Sequence, residues 1–156
     1  TSKGLSRLNQ QFRDKSTRKV YWAVVEKSPE HKTGRLEHFL KKNEKQNKSY
    51  AHTSEVGGSK KAVLSYKLLL SSDKYHLLEI ELETGRHHQI RCQLATIGCL
   101  IKGDLKYGAK RSNKDGSIHL HARKLEYNHP TSQELIKILA PVPNDPLWQF
   151  FEEKCN

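Results

Sequence analysis

The sequence lacks methionine, paired cysteines and long apolar runs. Its 156 residues include no Met and begin with Thr1. Without an initiator Met or a signal peptide before Thr1, we expect a piece of a longer protein. Cys92, Cys99 and Cys155 form no CxxC pair, which disfavours a disulfide framework or a zinc site and favours the reducing cytoplasm. No apolar run approaches the ~20 residues of a membrane-spanning helix.

Positive charge is in large excess. Lys and Arg number 28 against 17 Asp and Glu, a net charge of +11 with neutral histidines. Such an excess attracts a polyanion, and counterion release gives salt-dependent affinity for a nucleic acid. The hydrophobic fraction of 35% is low but adequate for one core. We therefore expect a single domain over residues 1–156 that binds a nucleic acid rather than a membrane.

The first half of the chain predicts one helix followed by strands. Residues 3–15 have helical spacing with Ser2 as a cap, and VYWAVV at 20–25 is typical of a buried strand. Residues 27–60 predict a hairpin-like excursion with a solvated tip at 41–48, closed by the turn Gly57-Gly58. Residues 62–70 and 76–83 predict an antiparallel pair.

After residue 83 the apolar period changes. Ile90, Leu94 and Ile97 are spaced by four and three, with Gly98 as a C-cap, which predicts one helix over 86–97. A Gly-Asp loop follows at 103–108, then a strand at 118–127 and a terminal helix at DPLWQFFEEK. No repeat and no second domain is evident.

Several motifs resemble the RluA-type pseudouridine synthase family. They are RKVYWAVV (18–25), KKAVLSYKLL (60–69), TGRHHQIR (84–91), IKGDLKYG (101–108), HLHARKLEYNHP (119–130) and APVP (140–143). The ordered set extends over nearly the whole chain.

The resemblance implies an α+β catalytic domain with a mixed, largely antiparallel bent sheet, flanking helices and RNA in a basic cleft. It also implies isomerisation of uridine to pseudouridine in ribosomal or transfer RNA. In that reaction the glycosidic bond breaks, the uracil turns, and carbon 5 joins the ribose. The chemistry requires no cofactor and no metal.

The family's nucleophile, an aspartate in a His-Arg-Leu-Asp motif, is missing from the sequence. None of the five aspartates follows His-Arg-Leu; they are Asp14, Asp73, Asp104, Asp115 and Asp145. In the family this motif lies shortly before the segment that residues 1–15 resemble. We therefore expect the nucleophile upstream of Thr1, this chain to be the C-terminal part of the catalytic domain, and the chain alone to be inactive.

Two catalytic residues are predicted from the resemblance. Tyr21 matches the family's active-site tyrosine, whose ring can stack on a flipped-out uracil and whose phenol can assist proton removal from carbon 5. Arg91 matches the arginine that pairs with the nucleophilic aspartate, since a guanidinium orients a carboxylate and favours its ionised form. Without that aspartate, Arg91 must find another anion or water.

Substrate contacts are predicted at Leu120, which matches an apolar residue lining the uracil pocket, and at Lys19 of the Lys-x-Tyr-x-Ala motif. We place Arg86 and His87 in the first turn of the predicted helix, where N–H groups favour an RNA phosphate. The alternative is a solvated helix start.

Nearby polar residues have less direct roles. One of His88 and Gln89 is expected to be buried and bonded to a neighbouring strand, and Asp104 is attributed to turn chemistry. The cations of the following loop either line the RNA cleft or serve solubility; they are Lys102, Lys106, Lys110, Arg111 and Lys114.

Two other function classes stay open. A metal-free ribonuclease could use histidines as general base and acid, with candidates at His87, His88, His119 and His121. The helix and strand that carry these pairs give no sequence reason to converge. A basic RNA-binding module without catalysis is the stronger rival, because the charge remains where the nucleophile does not.

Overall fold

A computed structural model describes residues 17–156, together with residue 3 and residues 5–7. The described residues contain one seven-stranded sheet, formed by β1 (Arg18–Val25), β2 (Thr33–Asn43), β3 (Lys48–His52), β4 (Lys60–Ser71), β5 (His76–Leu82), β6 (Leu120–Asn128) and β7 (Leu135–Leu139). The strand order is β3-β2-β4-β5-β1-β6-β7, and all six pairings are antiparallel. The predicted fold class is confirmed, with no parallel pair among these strands.

Helices accompany the sheet at two places. Helix α1 (Gln89–Thr96) follows β5, a short 3₁₀ helix spans Leu105–Tyr107, and helix α2 (Pro146–Cys155) ends the chain. The predicted helix at 3–15 lies mostly outside the described residues, of which 3 and 5–7 are helical. Within the described residues, no helix is long and apolar enough to cross a membrane.

Strand β1 separates two apolar clusters because its side chains alternate between the faces of the sheet. Ala23 and Val25 point into a cluster that contains Ile90 and Leu94 of α1. The intervening residues Trp22 and Val24 point the other way, into a cluster whose other buried members are Leu77, Trp148 and Phe151. Helices α1 and α2 therefore cover opposite faces of the sheet, which we call the α1 face and the α2 face.

The β2–β3 hairpin confirms the predicted excursion. Its strands pair from Asn43 with Lys48 to Phe39 with His52, and the connecting residues 44–47 are exposed. Gly57 and Gly58 form a turn before β4, as predicted. The predicted antiparallel pair, the 118–127 strand and the terminal helix are also present, with bounds shifted by a few residues.

The predicted helix start at residue 86 is wrong, because α1 begins only at Gln89. His88 is the N-cap with a left-handed backbone, φ 53°, which interrupts a helix. The Gln89 side-chain oxygen accepts from the Arg86 amide at 2.9 Å and from the Thr84 hydroxyl at 2.8 Å. These bonds hold residues 84–88 as a turn, so Arg86 and His87 precede the helix and are not in its first turn.

Candidate active site

Arg91 and Asp104 form a bidentate ion pair between α1 and the loop before the 3₁₀ helix. Arg91 Nε donates to Asp104 Oδ2 at 2.8 Å, and Arg91 Nη2 donates to Asp104 Oδ1 at 2.7 Å. The Asp104 side chain is 1% exposed and that of Arg91 is 20% exposed. Two parallel charge-assisted bonds fix both the position and the plane of the guanidinium.

This pair changes the expectation for both residues. Arg91 has its anion within the described chain, in Asp104. The turn interpretation of Asp104 holds only for its backbone, whose carbonyl accepts from the amides of Tyr107 and Ala109. The carboxylate makes no capping bond, so the assignment of the side chain to turn chemistry is wrong.

His88 supports the other side of the guanidinium. Arg91 Nη1 lies 3.2 Å from His88 Nε2, and since a guanidinium only donates, that ring nitrogen must accept. The proton of a neutral His88 is therefore on Nδ1, which lies 2.8 Å from the Tyr107 hydroxyl. Burial and then the Arg91 charge lower the pKa of His88 to about 4, which matches this neutral acceptor.

Arg91 keeps hydrogen-bonding capacity beyond these contacts. A guanidinium has five N–H donors, of which two go to Asp104 and one to His88. The remaining two, one each on Nη1 and Nη2, have no partner among the described residues. A second planar anion fits such a pair of donors.

Tyr21 and Leu120 lie on the α1 face of the sheet. Both are half-buried and pack against the cluster that contains Ile90, the residue before Arg91. Lys19, also half-buried, shares the parity of Tyr21 along β1 and therefore the same face. The sheet thus brings the predicted residues of β1 and β6 under the helix that carries Arg91, although the hydrogen bonds of Arg91 go to Asp104 and His88.

Leu120 also lines a pocket of about 720 Å³ at the start of β6, together with Lys102 and His119. His119 is 3% exposed, stacks on Trp148 with ring centroids 5.2 Å apart, and bonds Asp145 at 2.9 Å. The His121 ring, like that of His119, is bonded to a protein group, the Ala140 carbonyl.

Arg86 lies beside the base of the β2–β3 hairpin, and His87 lies nearer its tip. Arg86 is exposed, and its Nε donates to the Lys61 carbonyl at 2.9 Å. His87 is half-buried, with Nδ1 2.9 Å from Ser49 Oγ and Nε2 3.0 Å from Asn47 Oδ1. Burial, followed by the charge of Lys42, lowers the pKa of His87, which therefore favours its neutral form.

The expected division of roles between His88 and Gln89 is confirmed. Gln89 is 3% exposed, and its Nε2 donates to the Val63 carbonyl of β4 at 3.0 Å. Gln93 is also fully buried and donates to the Ala62 carbonyl at 3.2 Å and toward His38 Nδ1 at 2.9 Å. Both side chains anchor α1 to the sheet.

The loop cations do not act as one group. Lys102 donates to Asn113 at 2.5 Å, whereas Lys106 donates to the carbonyls of Gln46 and Asn47 at the hairpin tip, both at 3.0 Å. Lys110, Arg111 and Lys114 are all exposed, and of these three only Lys114 lines the Leu120 pocket.

Sequence reasoning missed Tyr107 and Ser49 as parts of this site. The Tyr107 hydroxyl accepts from the Ser49 amide at 2.9 Å, and Ser49 Oγ donates to the His87 carbonyl at 2.8 Å. The motif KGDLKYG contained both Asp104 and Tyr107, but no spacing rule links that loop to a hairpin about 60 residues earlier. The hairpin is therefore connected to the surroundings of Arg91 through Tyr107 and His88.

Comparisons with known proteins identify relatives over most of this chain. Residues 1–96 match the family model described as RNA pseudouridylate synthase. An RNA pseudouridine synthase of Bacillus subtilis is 34% identical over 135 residues, which cover 86% of this chain and 44% of the relative. Ribosomal large subunit pseudouridine synthase D of Borreliella burgdorferi is 38% identical over 120 residues, which cover 76% of this chain and 36% of the relative. The chain spans less than half the length of these two relatives.

Solved structures agree on the fold. Human RNA pseudouridylate synthase domain containing 4 superposes with a TM-score of 0.77 at 21% identity, over 96% of this chain and 67% of that one. Human RNA pseudouridylate synthase domain containing 1 gives 0.71 at 21% identity, over 92% and 62%. With a family model that matches more than half of its residues, the chain belongs to the RNA pseudouridylate synthase family, in agreement with the RluA-type motifs of its sequence.

Proposed function

We propose that the protein containing this chain isomerises uridine to pseudouridine in RNA, and that residues 1–156 are the C-terminal part of its catalytic domain. The observation that carries the proposal is the family match over residues 1–96, which includes both Tyr21 and Arg91. Ribosomal RNA is the favoured substrate because two relatives are named ribosomal large subunit pseudouridine synthase D. Transfer RNA is the second candidate.

The geometry supports an active site on the α1 face. Tyr21 offers an aromatic ring for a displaced uracil and a phenol for proton removal, and Leu120 offers an apolar contact on the same face. Arg91, oriented by Asp104 and His88, has two N–H donors left for a carboxylate nucleophile. We assign Tyr21 and Arg91 to catalysis, and Lys19, Leu120, Arg86 and His87 to the substrate.

Charge distribution supports RNA on the same face. On the α2 face, carboxylates are paired with cations, as in Arg18 with Glu81 at 2.9 Å and Arg35 with Glu83 at 3.2 Å. By strand parity, these ion pairs lie on the same face of the sheet as Trp22 and on the opposite face from Tyr21. Ion pairs of this kind cancel charge on the α2 face, which supports placing the phosphate backbone of an RNA on the α1 face.

We also propose that the nucleophile is an aspartate in a segment preceding Thr1. The test compares the chain with a version extended upstream through a His-Arg-Leu-Asp motif, and measures tritium released from carbon 5 of uridine in ribosomal RNA. The extended protein should release tritium and the shorter chain should not. Release by the shorter chain would refute the placement of the nucleophile.

Two variants of the extended protein test the assigned residues. Tyr21→Phe keeps the ring but removes the phenol, and should lower the rate by about 10²-fold. Arg91→Lys keeps the charge but loses the planar fork, and should be impaired to a similar degree. Unchanged rates in both would contradict the assigned roles, provided that both variants unfold like the wild type.

The other function classes make different predictions. A ribonuclease would cleave RNA without tritium release, yet His87 and His88 contact Ser49 and Tyr107, whereas His119 and His121 contact Trp148. A binding module would show salt-dependent RNA affinity with neither activity in the extended protein. A cytoplasmic location is part of our proposal and is supported by three free cysteines.

A further inference from the structure

A basic pocket of about 370 Å³ extends from the base of the β2–β3 hairpin toward its tip, and neither Tyr21 nor Leu120 lines it. Its lining includes four cations, Lys41, Lys42, Lys60 and Arg86, with His87 and one carboxylate, Glu44. Counting His87 as neutral, four cations and one carboxylate give +3. Glu44 pairs with Lys42 at 3.3 Å, but its side chain is 82% exposed, so water and salt screen this bond. The volume is in the range of ligand pockets, roughly 300–1,000 Å³.

The walls of this hairpin-base pocket are held in place without a ligand. Gln89 fixes the Arg86 amide, and the Arg86 Nε bond to the Lys61 carbonyl directs the outer guanidinium nitrogens away from that strand. His87 is held between Ser49 and Asn47. Because Arg86 and His87 are already held in place, ordering them costs little conformational entropy on binding.

The lining indicates which chemical group it takes. Two glycines, Gly58 and Gly85, form part of the wall, and a Cβ at Gly85 would meet nothing within 4 Å. The backbone of a ligand can therefore approach closely there. Lysine and arginine at such a wall match the charge of a phosphate, whereas the lining offers no apolar aromatic platform on which a base would stack.

We propose that the hairpin-base pocket binds a phosphodiester of the RNA substrate, as a sequence-independent contact outside the reaction centre. This inference rests on the proposed function for the identity of the polyanion. Phosphate contacts fix the register of a nucleic acid without reading its bases. The pocket serves as such a register point because His87 stacks on His88, with ring centroids 3.8 Å apart, and His88 contacts Arg91.

The test uses the chain with Lys42→Gln and Lys60→Gln combined, and measures binding of a labelled RNA stem-loop at several salt concentrations. Each phosphate contact contributes about 0.7 to 0.9 to the slope of log K against log salt concentration. The double variant should therefore lose about 0.7 to 0.9 of that slope, the share of one phosphate, and bind several-fold more weakly. A stem-loop of shuffled sequence should show the same loss.

Lys67→Gln is the matched control, because Lys67 is an exposed lysine on β4 with the opposite strand parity to Lys60. It should leave the slope nearly unchanged. Thermal unfolding of all variants excludes a folding defect as the cause of weaker binding. Amide NMR shifts at Gly58 and Gly85 on RNA addition give a second readout at the pocket itself.

The outcomes separate this inference from the proposed function. RNA binding with equal slopes in the double variant and the control, and no shifts at Gly58 or Gly85, would overturn the pocket while leaving the synthase proposal intact. Polyglutamate that binds as tightly as RNA and shifts the same amides would overturn the assignment to RNA. If the extended protein released no tritium from uridine, that result would instead argue against the proposed function.

Discussion

Asp104 orients Arg91 and also compensates its charge at a largely buried position. An arginine with 20% exposure and no anion would lose hydration without a compensating bond. The pair joins α1 to a loop of irregular backbone, so it contributes to stability as well as to the geometry of the site.

Replacing Asp104 should therefore destabilise the fold. We expect Asp104→Ala to lower the free energy of unfolding by about 3 kcal/mol, because it leaves the guanidinium unpaired. Urea denaturation measures this difference. Asp73→Ala, in the exposed turn between β4 and β5, is the control and should change stability by less than about 0.5 kcal/mol. Equal stability of the two variants would contradict a structural role for the ion pair.

His88 should make stability depend on pH. An unfolded histidine has a pKa near 6.5, whereas burial and Arg91 lower the folded pKa of His88 to about 4. Between these values the unfolded chain binds a proton that the folded chain does not, so stability falls as pH drops from about 6.5 to 4. The loss from this residue is at most about 3.5 kcal/mol, at about 1.4 kcal/mol per pKa unit.

Urea denaturation across this pH window, for the wild type and His88→Gln, measures the contribution. The variant should lose less stability on acidification. Burial also lowers the pKa of His38, His87 and His119, which remain in both proteins, so the difference reports on His88. Identical pH profiles would argue against the lowered pKa.

At the residue scale, sequence reasoning succeeded where a role depends on near neighbours. One of His88 and Gln89 was expected to be buried, and Gln89 is the buried one. The partner of Arg91 did not follow, because Asp104 lies 13 residues away across a turn whose path no periodicity encodes. The family motif predicts Arg91 as the partner of the nucleophilic aspartate, which is missing from the sequence. That assignment gave no reason to pair Arg91 with Asp104, which the chain contains.

At the element scale, the apolar pattern predicted β1, β4 and β5 well, since each of these strands carries several buried residues. The order of the sheet was not predicted, because β1 pairs with β5 and β6, more than 50 residues later in the chain. The start of α1 was misplaced for a local reason. Helical spacing fits residues 86–88 equally well, but the side chain of Gln89 closes a turn there.

Packing between β2 and β4 leaves no room for a side chain at Gly34. A Cβ on Gly34 would lie 2.6 Å from Cε1 of the Tyr66 ring, which belongs to the α1-face cluster. Gly34→Ala should cost about 1–3 kcal/mol, because the buried ring must shift. Chemical denaturation of this variant is compared with Gly57→Ala, where a Cβ meets nothing within 4 Å. A cost no larger than that of the control would show that the ring moves freely.

At the scale of the whole molecule, the sheet has two edges, β3 and β7, which differ in character. Leu135, Ile138 and Leu139 of β7 are 58%, 47% and 59% exposed. An exposed apolar edge strand offers unpaired backbone groups and apolar area to another chain. The β7 edge is therefore where we expect the isolated chain to self-associate.

Sedimentation velocity at rising protein concentration tests this expectation. Ile138→Lys should reduce association, since a charge on an edge strand opposes pairing with a second edge. Thr131→Lys adds the same charge in the exposed β6–β7 turn and should have little effect. Equal suppression by both variants would indicate a general effect of net charge and not the β7 edge.

The two faces of β1 give the chain separate natural reporters of its two cores. Both tryptophans, Trp22 and Trp148, are buried on the α2 face, so intrinsic fluorescence follows the packing of that face. Cys92 and Cys99 are buried on the α1 face, whereas Cys155 is exposed. The fast phase of thiol labelling therefore reports Cys155, and the slow phase follows the opening of the α1 face. Unfolding followed by tryptophan fluorescence and by thiol labelling should coincide if the sheet opens as one unit, and should separate if the α1 face opens first.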